Sequence, residues 1–240
     1  MKLINGKPYI NLEEHLDMNA FDALHDNIIL AIAKNAKHIE PSYTPRHTLL
    51  NSLPVFLEER EKHKKTFPTL DQSQINWYTK LSGAITLGTQ LLLRGNKGYP
   101  RTYQYKHLNE HSIDMPWAND FDFLFKWIDE QKCFVEYGRT MFWINEPGQK
   151  TAFHSDYGDI TSDKKDMFIW LTGKFKKKII LKDDITGDTY TSLHRAMIFN
   201  NVNWHGSIGE DQFSSWSLRI DGVFSPEWAE LVKLKEYFKL

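Results

Sequence analysis

Phe134-Val135-Glu136-Tyr137-Gly138-Arg139-Thr140-Met141-Phe142-Trp143-Ile144-Asn145 is the stretch on which the fold turns. It is aromatic and β-branched through most of its length, a composition suited to a pleated, partly buried surface. Glu146-Pro147-Gly148 follows as a turn, and the chain then runs on to His154-Ser155-Asp156. Residues i and i+2 of a strand lie on one side, so this triplet aims an imidazole and a carboxylate at a single point.

Strand signals continue downstream. Residues 167–172 and 178–182 read as a pair of strands about Gly173, and 196–201 as another strand that leads through Val202-Asn203-Trp204 to His205, expected at its end. In Trp216-Ser217-Leu218-Arg219-Ile220 the apolar side chains alternate with Ser217 and Arg219. An arginine on the polar face of a core strand is costly to bury unless it meets an anion, and a carboxylate matches its planar fork best. That carboxylate is either a ligand's or an internal one, Asp221 or Glu136. Two histidines and one carboxylate, His154, Asp156 and His205, form a donor set able to hold iron(II) on one face and leave the other open.

Upstream the texture is different. Residues 12 to about 37 place Leu16, Phe21, Leu24, Ile28 and Ile32 at helical spacing, and Pro41-Ser42-Tyr43-Thr44-Pro45 ends that helix. A charged segment from about 53 to 65 reads as a second helix with a solvated face, and 71 to about 93 as a third, ended by Gly95-Asn96. Residues 99–105 look like a first strand and 120–130 like one more helix. The expected organisation is a mostly helical N-terminal region, 1–97, packed on a strand-rich core, 98–240, in one compact unit of class α+β.

The 240 residues are 41% hydrophobic and 25% charged with a formal charge of −1, so no global field draws the chain to nucleic acid or to an anionic membrane. No apolar leader or run of about 18 apolar residues occurs. The single cysteine, Cys133, fits a reducing compartment. The expectation is a cytoplasmic protein that acts on a small molecule.

The order Pro147-Gly148, His154-Ser155-Asp156, His205 and then Arg219 fourteen positions later resembles the iron(II)/2-oxoglutarate-dependent oxygenases over roughly residues 98 to 225. The resemblance implies a double-stranded β-helix, also called a jelly roll or cupin barrel. It also implies that Fe(II), 2-oxoglutarate and O2 are used, with His154, Asp156 and His205 on the iron. Arg219 would then bind the far carboxylate of 2-oxoglutarate, with Ser217 beside it. Asp156 stands where halogenating relatives have a small residue, which implies hydroxylation, or desaturation or demethylation by the same first step. A branch of related hydroxylases anchors 2-oxoglutarate through a mid-barrel lysine, and Gly173-Lys174-Phe175-Lys176 is similar to that pattern. Arg219 is preferred because its strand alternates cleanly, whereas the four lysines between 174 and 178 read as a solvated turn. His194 lies too far from Arg219 for the pattern and reads as structural.

Strand phase makes Trp143, Tyr137, Trp204, Trp170 and Tyr157 candidate pocket residues. The charges of Glu136 and Arg139 within an aromatic strand point to a polar or zwitterionic substrate such as a free amino acid, or to an internal ion pair. A metalloenzyme on the same scaffold without 2-oxoglutarate, and a non-catalytic jelly-roll binding module, are the competing readings.

Overall fold

The computed structural model describes residues 8–45, 61, 64–65, 68, 84–96, 112–154, 168–174, 177–182, 186–201, 204–208, 212 and 214–237; of 41–45, 84–88, 96 and 152–154 it describes the backbone alone. Among these, the strands are β1 (Tyr9–Asn11), β2 (Glu40–Pro45), β3 (Ala84–Asn96), β4 (Ser112–Asp114), β5 (Phe134–Asn145), β6 (Lys150–His154), β7 (Phe168–Thr172), β8 (Lys178–Lys182), β9 (Thr189–Ser192), β10 (Ala196–Phe199), β11 (Trp204–Ile208) and β12 (Ser215–Phe224). The helices are α1 (Met18–Ala23), α2 (His25–Lys34), α3 (Asp122–Glu130), α4 (Pro226–Leu231) and α5 (Leu234–Tyr237). None is long and apolar enough to cross a membrane.

From β5 onward the pairings nest. β5 pairs with β12, β6 with β11, β7 with β10 and β8 with β9, all antiparallel. This is one long hairpin whose tip is β8–β9. Folded over, it places β10-β7-β12-β5 in one sheet and β6-β11-β8-β9 in the other. The fold is therefore α+β, with a jelly roll, or double-stranded β-helix, as its core. Residues 168–172 and 178–182 are strands as expected, but β7 and β8 belong to different sheets and do not pair.

The N-terminal segment departs from its expected helical character. The third expected helix is overturned over its described part, because Ala84–Asn96 is a thirteen-residue strand that joins β5 on one side and β2 on the other. Leu91, Leu92 and Leu93 are all buried, so both faces of β3 are covered and its sequence carries no alternation to mark it as a strand. β1 extends the opposite edge by pairing with β10. The helix of residues 12–37 is two helices, α1 and α2, meeting at Leu24, with Asp17 capping α1 through a bond from the Ala20 N–H at 2.9 Å. Residues 120–130 are helical as expected. Most of the charged segment 53–65, residues 71–83 and the strand expected at 99–105 lie outside the described residues.

Two apolar clusters lie on opposite faces of the large sheet. On the outer face, Trp216, Leu218 and Ile220 of β12 pack with Phe142, Leu91 and Leu93 against Phe21, Ile28, Leu124, Trp127 and Ile128 of the helices. Between the sheets, Phe168, Trp170, Met197 and Phe199 meet Ile179 and Leu181 of the small sheet, with Tyr9 at one end. Each buried side chain of this size contributes about 1.5–3 kcal/mol. The helices are also tied to the strands by charge. Glu13 accepts from His194 Nδ1 and from the Arg195 N–H, and Arg195 grips Asp22 of α1 with two guanidinium nitrogens, which holds the Asp22 carboxyl below its usual range. His194 is structural, as expected.

Gly173, between β7 and β8, lies against the indole of Trp216, and a Cβ there would come within 2.6 Å of that ring. The indole is itself held among Phe21, His25 and Phe142 and has no room to retreat. Gly173→Ala is expected to lower stability by about 1–3 kcal/mol in urea unfolding.

Candidate functional site

β12 sorts its side chains by face. Trp216, Leu218 and Ile220 join the outer cluster, so Ser215, Ser217, Arg219 and Asp221 face the space between the sheets. All four are buried. The antiparallel register sets their neighbours on that face. Ser215 lies beside Asn145, Ser217 between Trp143 and Thr172, and Arg219 between Met141 and Trp170.

The small sheet supplies the opposing wall. His205, 7% exposed, is the second residue of β11, not the last of the strand before it as expected, because the chain changes sheets after β10. Its register partners are Leu181 on one side and His154 on the other. The two histidines expected to share a metal are thus backbone register partners on neighbouring antiparallel strands. The His205 ring packs 5.3 Å from that of Phe199, which meets Phe168 edge to face at 5.0 Å. Asp156 and Tyr157 lie outside the described residues.

Arg219 has an internal partner. Its Nε donates to Asp221 Oδ1 at 2.9 Å, while the other Asp221 oxygen accepts from Arg139 Nε at 2.7 Å. The Arg219 guanidinium also lies over the Phe168 ring, 4.2 Å from its centroid. Asp221 is fully buried, so one carboxylate joins two guanidinium groups from β5 and β12. Asp221, one of the two internal partners considered for Arg219, is present.

Glu136 and Arg139 are not brought together. Arg139 belongs to the buried pair network, whereas Glu136 lines an open groove with Arg94, Asp129, Lys132 and Tyr137 beside α3. Trp170 is buried between the sheets next to Arg219. Trp143 pairs with Ser217, Tyr137 packs toward α3 where its hydroxyl donates to Asp129, and Trp204 precedes His205 at the start of β11.

Lys177 is where the sequence reading fails. The lysines at 174–178 were expected to be solvated, and Lys174 and Lys178 are exposed, but Lys177 is 4% exposed. Its ammonium donates to Ser217 Oγ at 3.3 Å, on the inner face of β12. Burial alone pushes its pKa down to about 7. On the same face, Asn145, Thr172 and Ser215 are each at most 1% exposed, and among the described residues neither amide atom of Asn145, nor the hydroxyls of Thr172 and Ser215, has a hydrogen-bond partner. The sequence signal for this cluster was the hydroxyl-rich polar face of β12, Ser215 and Ser217. Nothing in the lysine run marked residue 177.

No protein-family model matches the chain, and no curated protein matches it in sequence. Among solved structures it is similar to an oxidoreductase of the 2OG-Fe(II) oxygenase family from Burkholderia pseudomallei, at 10% identity and TM-score 0.44 over 85% of this chain and 80% of that one. It is also similar to a Pseudomonas putida prolyl-4-hydroxylase, at 10% identity and TM-score 0.34 over 81% and 96% of the two chains. A Cupin 2 conserved barrel domain protein from Salinispora arenicola CNS-205 aligns over 40% of this chain and 71% of that one, at 8% identity and TM-score 0.25.

The two buried cations predict opposite outcomes. Asp221→Ala leaves two guanidinium groups without their shared carboxylate and is expected to cost about 3–5 kcal/mol in denaturant unfolding. Lys177→Met is expected to raise stability, by roughly 4 kcal/mol at pH 7 and by far less at pH 10. The unfolded lysine keeps its proton up to its ordinary pKa of 10.5 while the folded one releases it near 7, so between those values the unfolded chain holds more protons and stability rises with pH. Equal gains at the two pH values would place Lys177 in water.

Proposed function

We propose that the protein is an iron(II)- and 2-oxoglutarate-dependent oxygenase that hydroxylates an unactivated C–H bond of a small polar substrate. The observation that carries this reading is the pairing of His154 with His205 in a jelly roll whose facing sheet presents buried cationic and hydroxyl side chains. Asp156, two residues beyond His154, completes a donor set of two histidines and one carboxylate, which suits iron(II) and leaves coordination positions open. His154, Asp156 and His205 would hold the metal. When bound, iron(II) with 2-oxoglutarate and O2 supplies the oxidising power for an unactivated C–H bond, chemistry that amino-acid side chains lack.

The chain's own residues have other tasks. Phe199 and Phe168 exclude water beside His205. Trp170 is a candidate substrate contact, since it lies between the sheets. Arg139 and Arg219 share Asp221, which makes them poor candidates to grip a ligand carboxylate without first giving up an internal one. Among the described residues Lys177 has no such tie, and its hydrogen bond goes to a neutral hydroxyl. We therefore assign the far carboxylate of 2-oxoglutarate to Lys177, with Ser217 beside it, in place of Arg219.

The Arg219–Asp221 pair also favours a second reading, in which the scaffold binds a metal or a small ligand but takes no 2-oxoglutarate. Anaerobic addition of iron(II) and 2-oxoglutarate separates the two. The oxygenase reading expects a weak visible charge-transfer band that His205→Ala abolishes; no band in the wild type, or an unchanged band in the variant, overturns it. Lys177→Met is expected to weaken 2-oxoglutarate binding roughly 10–100-fold, the loss of one charge-assisted hydrogen bond, while iron affinity is kept. Arg219→Ala as the variant with the larger specific loss would return the anchor to Arg219.

A further inference from the structure

A buried cation normally keeps a carboxylate beside it, as Arg219 keeps Asp221. Lys177 does not follow that pattern. It contacts the hydroxyl of Ser217, burial is the sole cause of its shifted titration among the described residues, and the charges on Ser217's face, Arg219 and Asp221 with Arg139 beside them, are paired with one another, while the other polar neighbours are neutral. These are Thr172 from β7, Ser215 from β12 and Asn145 from β5. The nearest charges along its own segment, Lys174 and Lys178, are exposed.

The neutral neighbours are unusual in their own right. Four buried polar atoms, the two of the Asn145 amide and the hydroxyls of Thr172 and Ser215, lack partners among the described residues and are closed to water. Leaving such groups unsatisfied is unfavourable, and native interiors rarely do so. Three of them can donate: the amide nitrogen and both hydroxyls. Donors without acceptors, gathered on one face beside a lysine that has no counter-ion among the described residues, are the complement of an anion that accepts several hydrogen bonds at once.

We propose that Lys177, Ser217, Ser215, Thr172 and Asn145 form one acid-binding chamber that takes up a carboxylate and a proton in a single event. The carboxylate enters as the anion, the free amine of Lys177 takes a proton from solvent to become the ammonium, and the pair is electrically neutral when buried. The hydroxyls and the amide then donate to the carboxylate oxygens left over from the lysine. Neither partner is stable there alone: the anion has no charge to meet, and the ammonium has no reason to keep its proton in an apolar site. Identification of the acid as 2-oxoglutarate rests on the oxygenase reading. The proton uptake does not.

The consequence is a cosubstrate affinity that falls as pH rises through and above 7. Calorimetric titration of the full-length protein with 2-oxoglutarate, in the presence of manganese(II), measures this directly. Run at pH 8 in HEPES and in Tris, which differ in ionisation enthalpy, it is expected to report uptake of about one proton per acid bound, and much less at pH 6. Lys177→Arg is the decisive variant because arginine keeps its charge. It is expected to bind with no proton uptake at either pH, and circular dichroism checks that it folds. Binding whose heat is independent of buffer in the wild type, or uptake unchanged in Lys177→Arg, overturns the chamber and leaves the oxygenase reading standing. Proton-coupled binding of glutarate, together with failure of manganese(II) to bind at His205, overturns the oxygenase reading and keeps the chamber. No binding of either acid overturns both.

Discussion

The alternation of β12 is the constraint on which the rest depends. Its even-numbered residues from Trp216 to Ile220 complete the core against the helices, and its odd-numbered residues from Ser215 to Asp221 line the space between the sheets. A slip of one residue would drive Arg219 into the aromatic cluster of Phe21, Trp127 and Phe142 and turn Trp216 inward. The flanking strands inherit the division through their register. β5 presents Met141, Trp143 and Asn145 inward, and β7 presents Phe168, Trp170 and Thr172. One strand therefore separates a dry structural core from a polar interior able to take a ligand.

That interior holds its cations in two different ways, and the chemistry of the side chains explains the difference. A guanidinium cannot lose its proton in a protein, so its burial demands an anion and an aromatic face. Asp221 and Phe168 supply them. A primary amine can escape the same penalty by deprotonation, and burial beside Ser217 shifts Lys177 in that direction, to about 7. Arg219 is thereby a strut joining β12 to β5 through Asp221 and Arg139. Lys177 is the cation whose charge is still to be decided by what enters the site.

Much of this was readable from residues alone. The aromatic stretch of β5 and the alternation of β12 marked both strands, and the expectation that a buried arginine requires a carboxylate was met by Asp221, one of the two internal partners named in advance. Three features escaped for physical reasons. β3 is buried on both faces at Leu91, Leu92 and Leu93, so its apolar run fits a helical period as well as a strand, and only pairing with β5 decides. β11 carries Gly206 and Ser207, weak strand formers that left His205 looking like the end of its predecessor. Lys177 is chemically identical to the exposed lysines around it, and its burial depends on a hydroxyl forty residues away in β12. Local pattern cannot encode a property that belongs to the opposing wall.

The nesting of the hairpin also explains how the candidate site can be built from such distant residues. Because β6 pairs with β11, His154 and His205 meet across a ladder although fifty-one positions separate them in the chain. The length of the intervening loops does not enter. Lys177 lies four residues before Leu181, the partner of His205 on β8, which places it about 13 Å along the strand from the histidine pair. The histidines belong to the small sheet, whereas the hydroxyls that receive Lys177 belong to the large one. A ligand held at both places would therefore touch both walls of the jelly roll, and its binding energy would add to the cohesion of the two sheets. The unpartnered hydroxyls and amide lie on the wall that lacks the histidines, where a ligand fixed at one end to a metal would need its other end recognised.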